Sequence, residues 1–215
     1  MATAKTQKPK KKVDKEICRI ITPEFRVSYP HLFKTQQVKP TDKPKYSITM
    51  LFSKSLGLIG QSPDGKPRSL KEVIKNAKIN EFGPDKSDWP DDLLSPVTDG
   101  DDPKFAGKDG YAGNWVIKAS TSQDQRPSVV DKDMNPIIEP ADFYPGCYAR
   151  AYIYAYVWEY MGRQGVGFIL DHVQKLRDGQ SFGGKKPVEQ VFSPVTVEDE
   201  DTENDDDDED FKWES

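Results

Sequence analysis

Hydrophobic and polar positions alternate with a period of two along several stretches of the chain, as they do in β-strands that bury one face. The clearest stretch is YARAYIYAYVWEY, residues 148–160. One of its faces is small and aliphatic, and the other carries tyrosines, a tryptophan and an arginine. The same pattern predicts strands within 17–33, 45–54, 114–120 and 166–176.

The alternation also predicts on which face of a strand individual side chains lie. It puts Phe25, Val27 and Tyr29 on one side of their strand and Arg26 on the other. Because Tyr29 and Tyr46 each share a strand face with aliphatic residues, we expect both rings in the core. Arg26 is then the better candidate for contact with a ligand.

Only one segment shows a clear helical period. Apolar residues recur at i, i+3, i+4 and i+7 from Leu70, and Ser69 with Glu72 fits the capping box. The sequence therefore predicts one helix that begins near residue 70. Residues 81–110, rich in proline, aspartate and glycine, are expected to form a long acidic loop.

Strands, one helix and then more strands, without alternating helices, favour a small antiparallel barrel or sandwich. The order is compatible with a mainly β OB-fold, a five-stranded antiparallel Greek-key barrel with one helix between strands three and four. We expect this domain at 15–193, with extended loops and disordered termini.

Charge is unevenly distributed, although the whole chain has a net charge of only −5. Residues 1–14 form a basic arm, with five lysines and no acid in the first twelve positions. Residues 198–215 hold twelve acids and one lysine, so 194–215 is expected to be a disordered acidic tail. Because aromatic residues lie near its end, this tail physically imitates a nucleic acid strand. It is suited to the protein's own binding groove or to a basic patch on a partner.

Several classes of protein are disfavoured. Cys18 and Cys147 lie in strand-like runs and indicate buried thiols in a reducing compartment. No apolar stretch approaches the ~20 residues of a membrane span, and the basic N-terminus lacks the apolar segment of a secretory signal. We therefore expect an intracellular protein with no membrane partner.

Catalytic and metal-binding motifs are not supported either. GQSPDGKP, residues 60–67, matches the spacing of a phosphate-binding loop, but Pro67 replaces the hydroxyl residue that would hold magnesium. Neither His31 nor His172 is paired with another ligand at zinc spacing. We expect no enzyme activity, no cofactor and no metal, and a nucleotide hydrolase is only a remote alternative.

The rings of residues 148–160 leave two interpretations open. Flat amphipathic rings beside a guanidinium suit a surface that meets planar groups such as nucleobases. The alternative is that the rings form the inner wall of a β-barrel. The pattern of this strand does not decide between them.

Four stretches and the acidic tail together resemble the single-stranded-DNA-binding proteins of tailed bacteriophages, in the branch with one OB-fold per chain. The stretches are FRVSYPHLF, KYSITMLFSK, YPGCYARAYIYAYVWE and GVGFILDHVQKLRDGQSFGG, and the likeness runs from about residue 17 to 192. One departure is that family tails finish on or beside an aromatic residue, whereas KWES follows Phe211 here.

The resemblance implies an OB-fold that coats single-stranded DNA in the host cell cytoplasm during phage DNA replication, recombination and repair. It also implies an acidic tail that contacts a polymerase, helicase or nuclease, while a homodimer is left open. The residues assigned to partner binding and to competition for the DNA groove are Glu198, Asp205, Asp206, Asp207, Asp208, Asp210, Phe211 and Trp213.

Given this likeness, we expect bases to stack on aromatic rings and cations to neutralise phosphates. At least two of the rings are expected to be core residues instead. The predicted DNA-binding residues are Tyr148, Arg150, Tyr152, Tyr154, Tyr156 and Trp158 on the aromatic strand, with Arg26, Lys34, Lys118, Arg126 and Arg163 outside it. The alternative is an acidic-tailed phage interaction or structural protein that uses the aromatic face to bind protein.

Overall fold

The computed structural model describes residues 14–37 and 39–183. Within these ranges no helix has both the length and the apolar content of a membrane span. Short 3₁₀ turns occur at Glu16–Cys18, Lys86–Asp88, Pro103–Phe105 and Pro140–Asp142. The other elements are β1 (Arg19–Ile21), β2 (Phe25–Gln36), β3 (Lys45–Ser53), β4 (Ile59–Gln61), β5 (Pro67–Ser69), α1 (Leu70–Phe82), β6 (Val97–Asp99), β7 (Asn114–Ser122), β8 (Ser128–Val130), β9 (Tyr148–Tyr160) and β10 (Arg163–Arg177).

Five strands close into a barrel in the order β9-β2-β3-β7-β10, with β10 pairing back onto β9. Counting barrel strands along the chain, this is the 1-2-3-5-4-1 order of a Greek-key barrel, so the predicted OB-fold is confirmed. All barrel pairs are antiparallel except β7 with β10, which run parallel. The remaining strands extend the sheet at its edges.

The helix forms where the sequence predicts it. The Ser69 side chain accepts a hydrogen bond from the backbone N–H of Glu72 at 3.1 Å, and Leu70, Val73 and Ala77 are buried. The helix was expected between strands three and four, but it lies between the second and third barrel strands. The difference arises because β1 pairs with β9 at the edge and is not one of the five barrel strands.

The acidic connection at 81–110 is more ordered than the sequence suggests. It contains two 3₁₀ turns and β6, which pairs with β7. The Lys54 ammonium lies 2.5 Å from an Asp99 oxygen and 2.7 Å from an Asp101 oxygen. Backbone pairing and these ion pairs therefore fasten the second half of the connection to the barrel.

Two apolar clusters stabilise the domain. The main core fills the barrel and includes the inner face of β9, where Ala149, Ala151 and Ile153 are fully buried. The second cluster lies on the outer surface of β3 and β7, because Leu51 and Val116 alternate with core residues along their strands. Tyr111, Phe105 and Phe182 cover this outer cluster. Both thiols, Cys18 and Cys147, are buried as predicted.

Tyr29 is the clearest exception to strand alternation. The expectation of a core ring is wrong, since Tyr29 is 53% exposed. Its backbone φ is +44°, and the pairing of β2 with β3 shifts register between Ser28 and His31. This bulge turns the ring to the outside of the barrel. Tyr46, expected in the core for the same reason, is half-buried.

Candidate nucleic-acid interface

The aromatic residues of β9 lie on the outside of the barrel. We define the β9 face as the outward side chains Tyr148, Arg150, Tyr152, Tyr154, Tyr156 and Trp158. They alternate with buried residues, so the predicted division of this strand into two faces is confirmed. The rings are half-buried, whereas Arg150 is exposed. The β9 rings therefore do not form the inner wall of the barrel.

Cations from neighbouring strands cover several of these rings. The guanidinium carbon of Arg177, on β10, lies 3.4 Å from the centroid of the Tyr148 ring. Arg19, on β1, lies 5.2 Å from the Tyr152 ring and 5.6 Å from the Tyr154 ring. Part of each ring surface is therefore already used in cation–π contacts within the protein.

The middle of the β9 face carries the polar groups that remain accessible. Arg150 Nε donates to Gln174 Oε1 at 2.8 Å and makes no ion pair among the described residues. The Tyr152 ring is parallel to the exposed His172 ring, with 6.1 Å between centroids. A flat group could extend this stack, with Arg150 nearby to contact a phosphate.

The far end of the β9 face serves packing. A Cβ placed on Gly165 would lie 2.6 Å from Cζ2 of Trp158, so this indole rests directly on the β10 backbone. Burial raises the pKa of the Tyr156 hydroxyl. Both rings are half-buried on the outside of the barrel, and none of the five rings is a buried core residue, although at least two were expected in the core.

Arg26 holds the segment through which the chain leaves the barrel. We call residues 178–183 the exit strap. Arg26 Nη2 donates to the Gln180 carbonyl at 2.7 Å, and Nε donates to the Gly146 carbonyl at 3.2 Å. Its guanidinium carbon lies 4.3 Å from the Phe182 ring centroid and 5.6 Å from that of Tyr148. These contacts give Arg26 a structural role that the sequence did not predict.

The other four predicted cations lie on elements other than β9. We define the front face as the outer surface of β2, β3 and β7. Lys34 is on β2, Lys118 is on β7, Arg126 follows β7, and Arg163 begins β10 at the β9–β10 hairpin. All four are exposed, and none forms an ion pair within residues 14–37 and 39–183. The front face therefore presents positive charge that the described chain does not neutralise locally.

The front face also contains a cluster that the sequence did not indicate. The Lys108 ammonium lies 5.7 Å from the Tyr29 ring centroid, 5.4 Å from that of Phe105 and 5.5 Å from that of Tyr111. Tyr29 was not indicated because the alternation predicts that its ring is in the core. Lys108 was not indicated because it lies in a segment that is acidic as a whole. The only local signals are Pro30 directly after Tyr29 and the aromatic–glycine spacing of FAGKDGYAG, residues 105–113.

The phosphate-loop motif lies in a β-hairpin. Residues 60–67 lie mainly in the β4–β5 hairpin, and Lys66 pairs with Asp64 at 2.9 Å. Among the described residues, no group of three or more histidine, cysteine or acidic side chains is arranged to hold a metal. The predicted tail residues lie outside the described part of the chain: Glu198, Asp205, Asp206, Asp207, Asp208, Asp210, Phe211 and Trp213.

Comparison with known proteins finds likeness in both sequence and structure. A family model described as the single-stranded-DNA-binding protein of Enterobacter phage Enc34 matches residues 18–208. The structure of the bacteriophage Enc34 single-stranded DNA-binding protein in complex with single-stranded DNA is 26% identical, with a TM-score of 0.60 over 80% of this chain and 96% of that one. The structure of a C-terminal truncation of the same Enc34 protein is also 26% identical, with a TM-score of 0.59 over 84% of this chain and 100% of that one.

A more distant structure is similar in fold alone. It is gp2.5, a single-stranded DNA binding protein encoded by bacteriophage T7, at 11% identity and a TM-score of 0.52 over 83% of this chain and 97% of that one. No curated protein sequence matches the chain.

Proposed function

The chain belongs to the family of the Enterobacter phage Enc34 single-stranded-DNA-binding protein, and from this premise we propose that it coats single-stranded DNA without sequence specificity. The observation that carries the proposal is the unpaired positive charge of the front face on an OB barrel. In this fold, the second and third barrel strands and the adjoining loops bind oligonucleotides. We place this activity in phage DNA replication, recombination and repair, in the host cytoplasm, with no enzymatic role.

In this proposal, phosphates follow the front face. Lys118 lies on the third barrel strand, Lys34 lies on the first, and Arg126 follows the third. Arg163 lies in the hairpin between the fourth and fifth barrel strands, a loop that joins the binding surface in this fold. Each contact releases counterions, so the logarithm of the binding constant falls by about 0.7 per contact against the logarithm of salt concentration. Phosphate contacts carry no sequence information, which accounts for the absence of specificity.

The β9 face provides a second set of contacts. A base that stacks on Tyr148 must displace the Arg177 guanidinium. Stacking contributes about 1–3 kcal/mol per base, whereas an exposed cation–π contact contributes about 0.5–1 kcal/mol. The displaced arginine also leaves its ion pair with Glu24, so the exchange is favourable when a phosphate of the same DNA strand replaces that carboxylate. Tyr152 with His172 and the exposed Arg150 are suited to the same role.

We further propose that the acidic tail recruits replication proteins and competes with DNA. Glu198 follows Gly183, the last described residue, by only fifteen positions. Tethering at this distance gives a millimolar effective concentration. Truncation before Glu198 should tighten binding to short oligonucleotides, and unchanged affinity would refute the competition while leaving DNA binding intact.

A fluorescence titration with oligo-dT and a duplex of equal length, at two salt concentrations, tests the function. We expect the single strand to bind more tightly and affinity to fall with salt. The double variant Lys118→Gln/Arg126→Gln should lower the salt slope by about 1.4. A matched control, Lys71→Gln/Lys75→Gln, removes two exposed lysines of α1.

Three outcomes would contradict the proposal. Equal losses in both double variants would show that net charge, and not the front face, sets the affinity. Absence of single-strand binding would favour the alternative, a protein-interaction surface. Phosphate release from ATP that depends on Lys66 would instead favour the nucleotide hydrolase.

A further inference from the structure

We propose that Tyr29 and Lys108 form a subsite for one nucleotide of single-stranded DNA, with the base stacked on the Tyr29 ring and its phosphate on the Lys108 ammonium. This inference rests on the function proposed above. It assigns a role to the acidic connection before β7, which supplies Lys108.

The backbone at Tyr29 is strained, and the side chain is exposed. More than half of its surface is accessible, at 53%. Its φ of +44° lies in the left-handed region, which L-residues other than asparagine and aspartate rarely adopt. Because the strained backbone holds the aromatic ring in solvent, the strain does not improve packing of the core. Backbone strain of this kind is typical of residues that contact ligands.

Lys108 lies beside this ring without an acidic partner. Its ammonium is 5.7 Å from the Tyr29 centroid, and no ion pair forms with it inside the described ranges. A base stacked on Tyr29 would therefore have a positive charge close to it. A flat apolar surface next to a cation without an acidic partner fits a nucleotide, which combines a ring with a negative charge.

The segment that carries Lys108 is held in place from several sides. Lys54 joins Asp99 and Asp101, and Asp101 Oδ1 accepts a hydrogen bond from the Gly113 backbone at 2.7 Å. The Gly183 backbone donates to Asp109 Oδ2 at 3.1 Å. Because these contacts exist before DNA arrives, binding does not have to order the segment.

The base of the subsite is also fixed. The Tyr111 hydroxyl lies 3.4 Å from Ser28 Oγ, and the Tyr111 ring is buried in the outer cluster. A Cβ on Gly110 would lie 2.2 Å from the Phe182 ring, so the exit strap closes directly over the loop. The exit strap and the acidic connection thus contact each other at Asp109 and Gly110, the two residues after Lys108.

The subsite continues into the phosphate path of the front face. Ser28, next to Tyr29, pairs with Thr49, which pairs with Lys118. Lys118 is therefore about 10 Å from Ser28 across two strand spacings. One strand of DNA can contact Lys108 and Lys118 in succession.

The decisive variant is Tyr29→Asn, because asparagine accepts a positive φ and the ring is removed without new strain. We expect oligo-dT affinity to fall about 5- to 150-fold, as for the loss of one stacked base, while the melting temperature does not decrease. Tyr29→Phe keeps the ring and should bind as the parent protein does. Lys108→Gln should lower the salt slope by about 0.7.

Matched controls come from a second ring–lysine pair. The Lys78 ammonium lies 5.4 Å from the Trp89 ring, in a pair formed by α1 and the segment after it. Lys78→Gln removes the same charge and should not change the salt slope. An equal effect of Lys78→Gln and Lys108→Gln would refute a specific role for Lys108.

The outcomes separate the two proposals. If the parent protein binds oligo-dT and Tyr29→Asn binds equally well, the subsite is refuted and the function stands. If the parent protein does not bind oligo-dT, the proposed function and the subsite that rests on it are both refuted. Crosslinking to 5-iodo-deoxyuridine gives an independent readout: a crosslink in the peptide containing Tyr29 supports the subsite, and its absence beside efficient crosslinks elsewhere contradicts it.

Discussion

Replacing Arg26 by alanine should destabilise the folded domain more than it weakens DNA binding. The sequence places Arg26 among the phosphate contacts. The structure directs its hydrogen bonds to the Gln180 and Gly146 carbonyls and its flat side onto Phe182. The substitution therefore releases the exit strap and exposes the outer apolar cluster beneath Phe182.

The size of the effect follows from these contacts. A hydrogen bond from a charged donor contributes about 1.5–3 kcal/mol when buried, and we take about 1 kcal/mol for each bond of this half-exposed arginine. The cation–π contact with Phe182 adds about 0.5–1 kcal/mol. We expect a loss of about 2–3 kcal/mol, which lowers the melting temperature of a domain of this size by about 5–10 °C.

Thermal or urea unfolding of the full chain measures this loss, and a titration with oligo-dT at several salt concentrations accompanies it. Arg150→Ala is the matched control, because Arg150 is exposed and, within the described part of the chain, its side chain makes one hydrogen bond, to Gln174. We expect less than about 1 kcal/mol for it. A double-mutant cycle between Arg26→Ala and Phe182→Ala should show a coupling of at least about 0.5 kcal/mol.

The opposite pattern would refute this reasoning. If Arg26→Ala leaves the melting temperature within about 1 °C and lowers the salt slope by about 0.7, Arg26 is a phosphate ligand. Zero coupling with Phe182→Ala would also show that the exit strap is held by its other contacts, such as the bond from the Phe182 backbone to the Pro145 carbonyl at 2.9 Å.

Two further predictions concern stability. Ser69→Ala removes the side-chain acceptor for the Glu72 N–H and should lower the free energy of unfolding, measured in urea, by about 1 kcal/mol. Ser69→Asp keeps an acceptor and should not lower it. Equal losses of unfolding free energy in the two variants would contradict a capping role. Burial raises the pKa of the Cys147 thiol to about 11. Since this folded-state pKa lies above the unfolded one, the thiol's contribution to stability is complete below pH about 9 and lost as pH rises towards 11. Cys147→Ala should flatten that part of the stability profile, and native Cys147 should react with alkylating reagents only on unfolding; rapid reaction in the native state would refute its burial.

The parts of the fold that the sequence predicts depend on local periodicity. The helix, its Ser69 cap and the two faces of β9 follow from spacing within a few residues. The place of the helix among the barrel strands does not, because it depends on whether β1 joins the barrel or pairs at its edge. Long-range pairing of this kind leaves no periodic signal in either segment.

The site shows the same limit. Alternation cannot reveal that Tyr29 faces outward, because one bulge between Ser28 and His31 reverses the face on which the ring lies. Nor can it reveal that Arg26 meets carbonyls that lie 120 and 154 residues away. The exposure of Lys34, Lys118, Arg126 and Arg163 was easier to anticipate, since isolated cations in strand and hairpin positions are rarely buried.

The β9 face and the front face differ in what a base must displace. On β9, Arg19 and Arg177 already cover the rings, and each also makes an ion pair, with Asp171 and Glu24 respectively. A base that stacks there must break both kinds of contact. Within the described residues, Lys108 is the one cation over the Tyr29 ring, and it has no acidic partner there.

DNA should therefore occupy the front face first and reach β9 only when a longer strand supplies additional phosphates for the displaced arginines. A plot of affinity against oligonucleotide length would then rise in two stages. Tyr29→Asn should weaken the first stage, and Tyr148→Leu should weaken only the second. A single stage that is equally sensitive to both variants would mean that the two surfaces bind DNA as one.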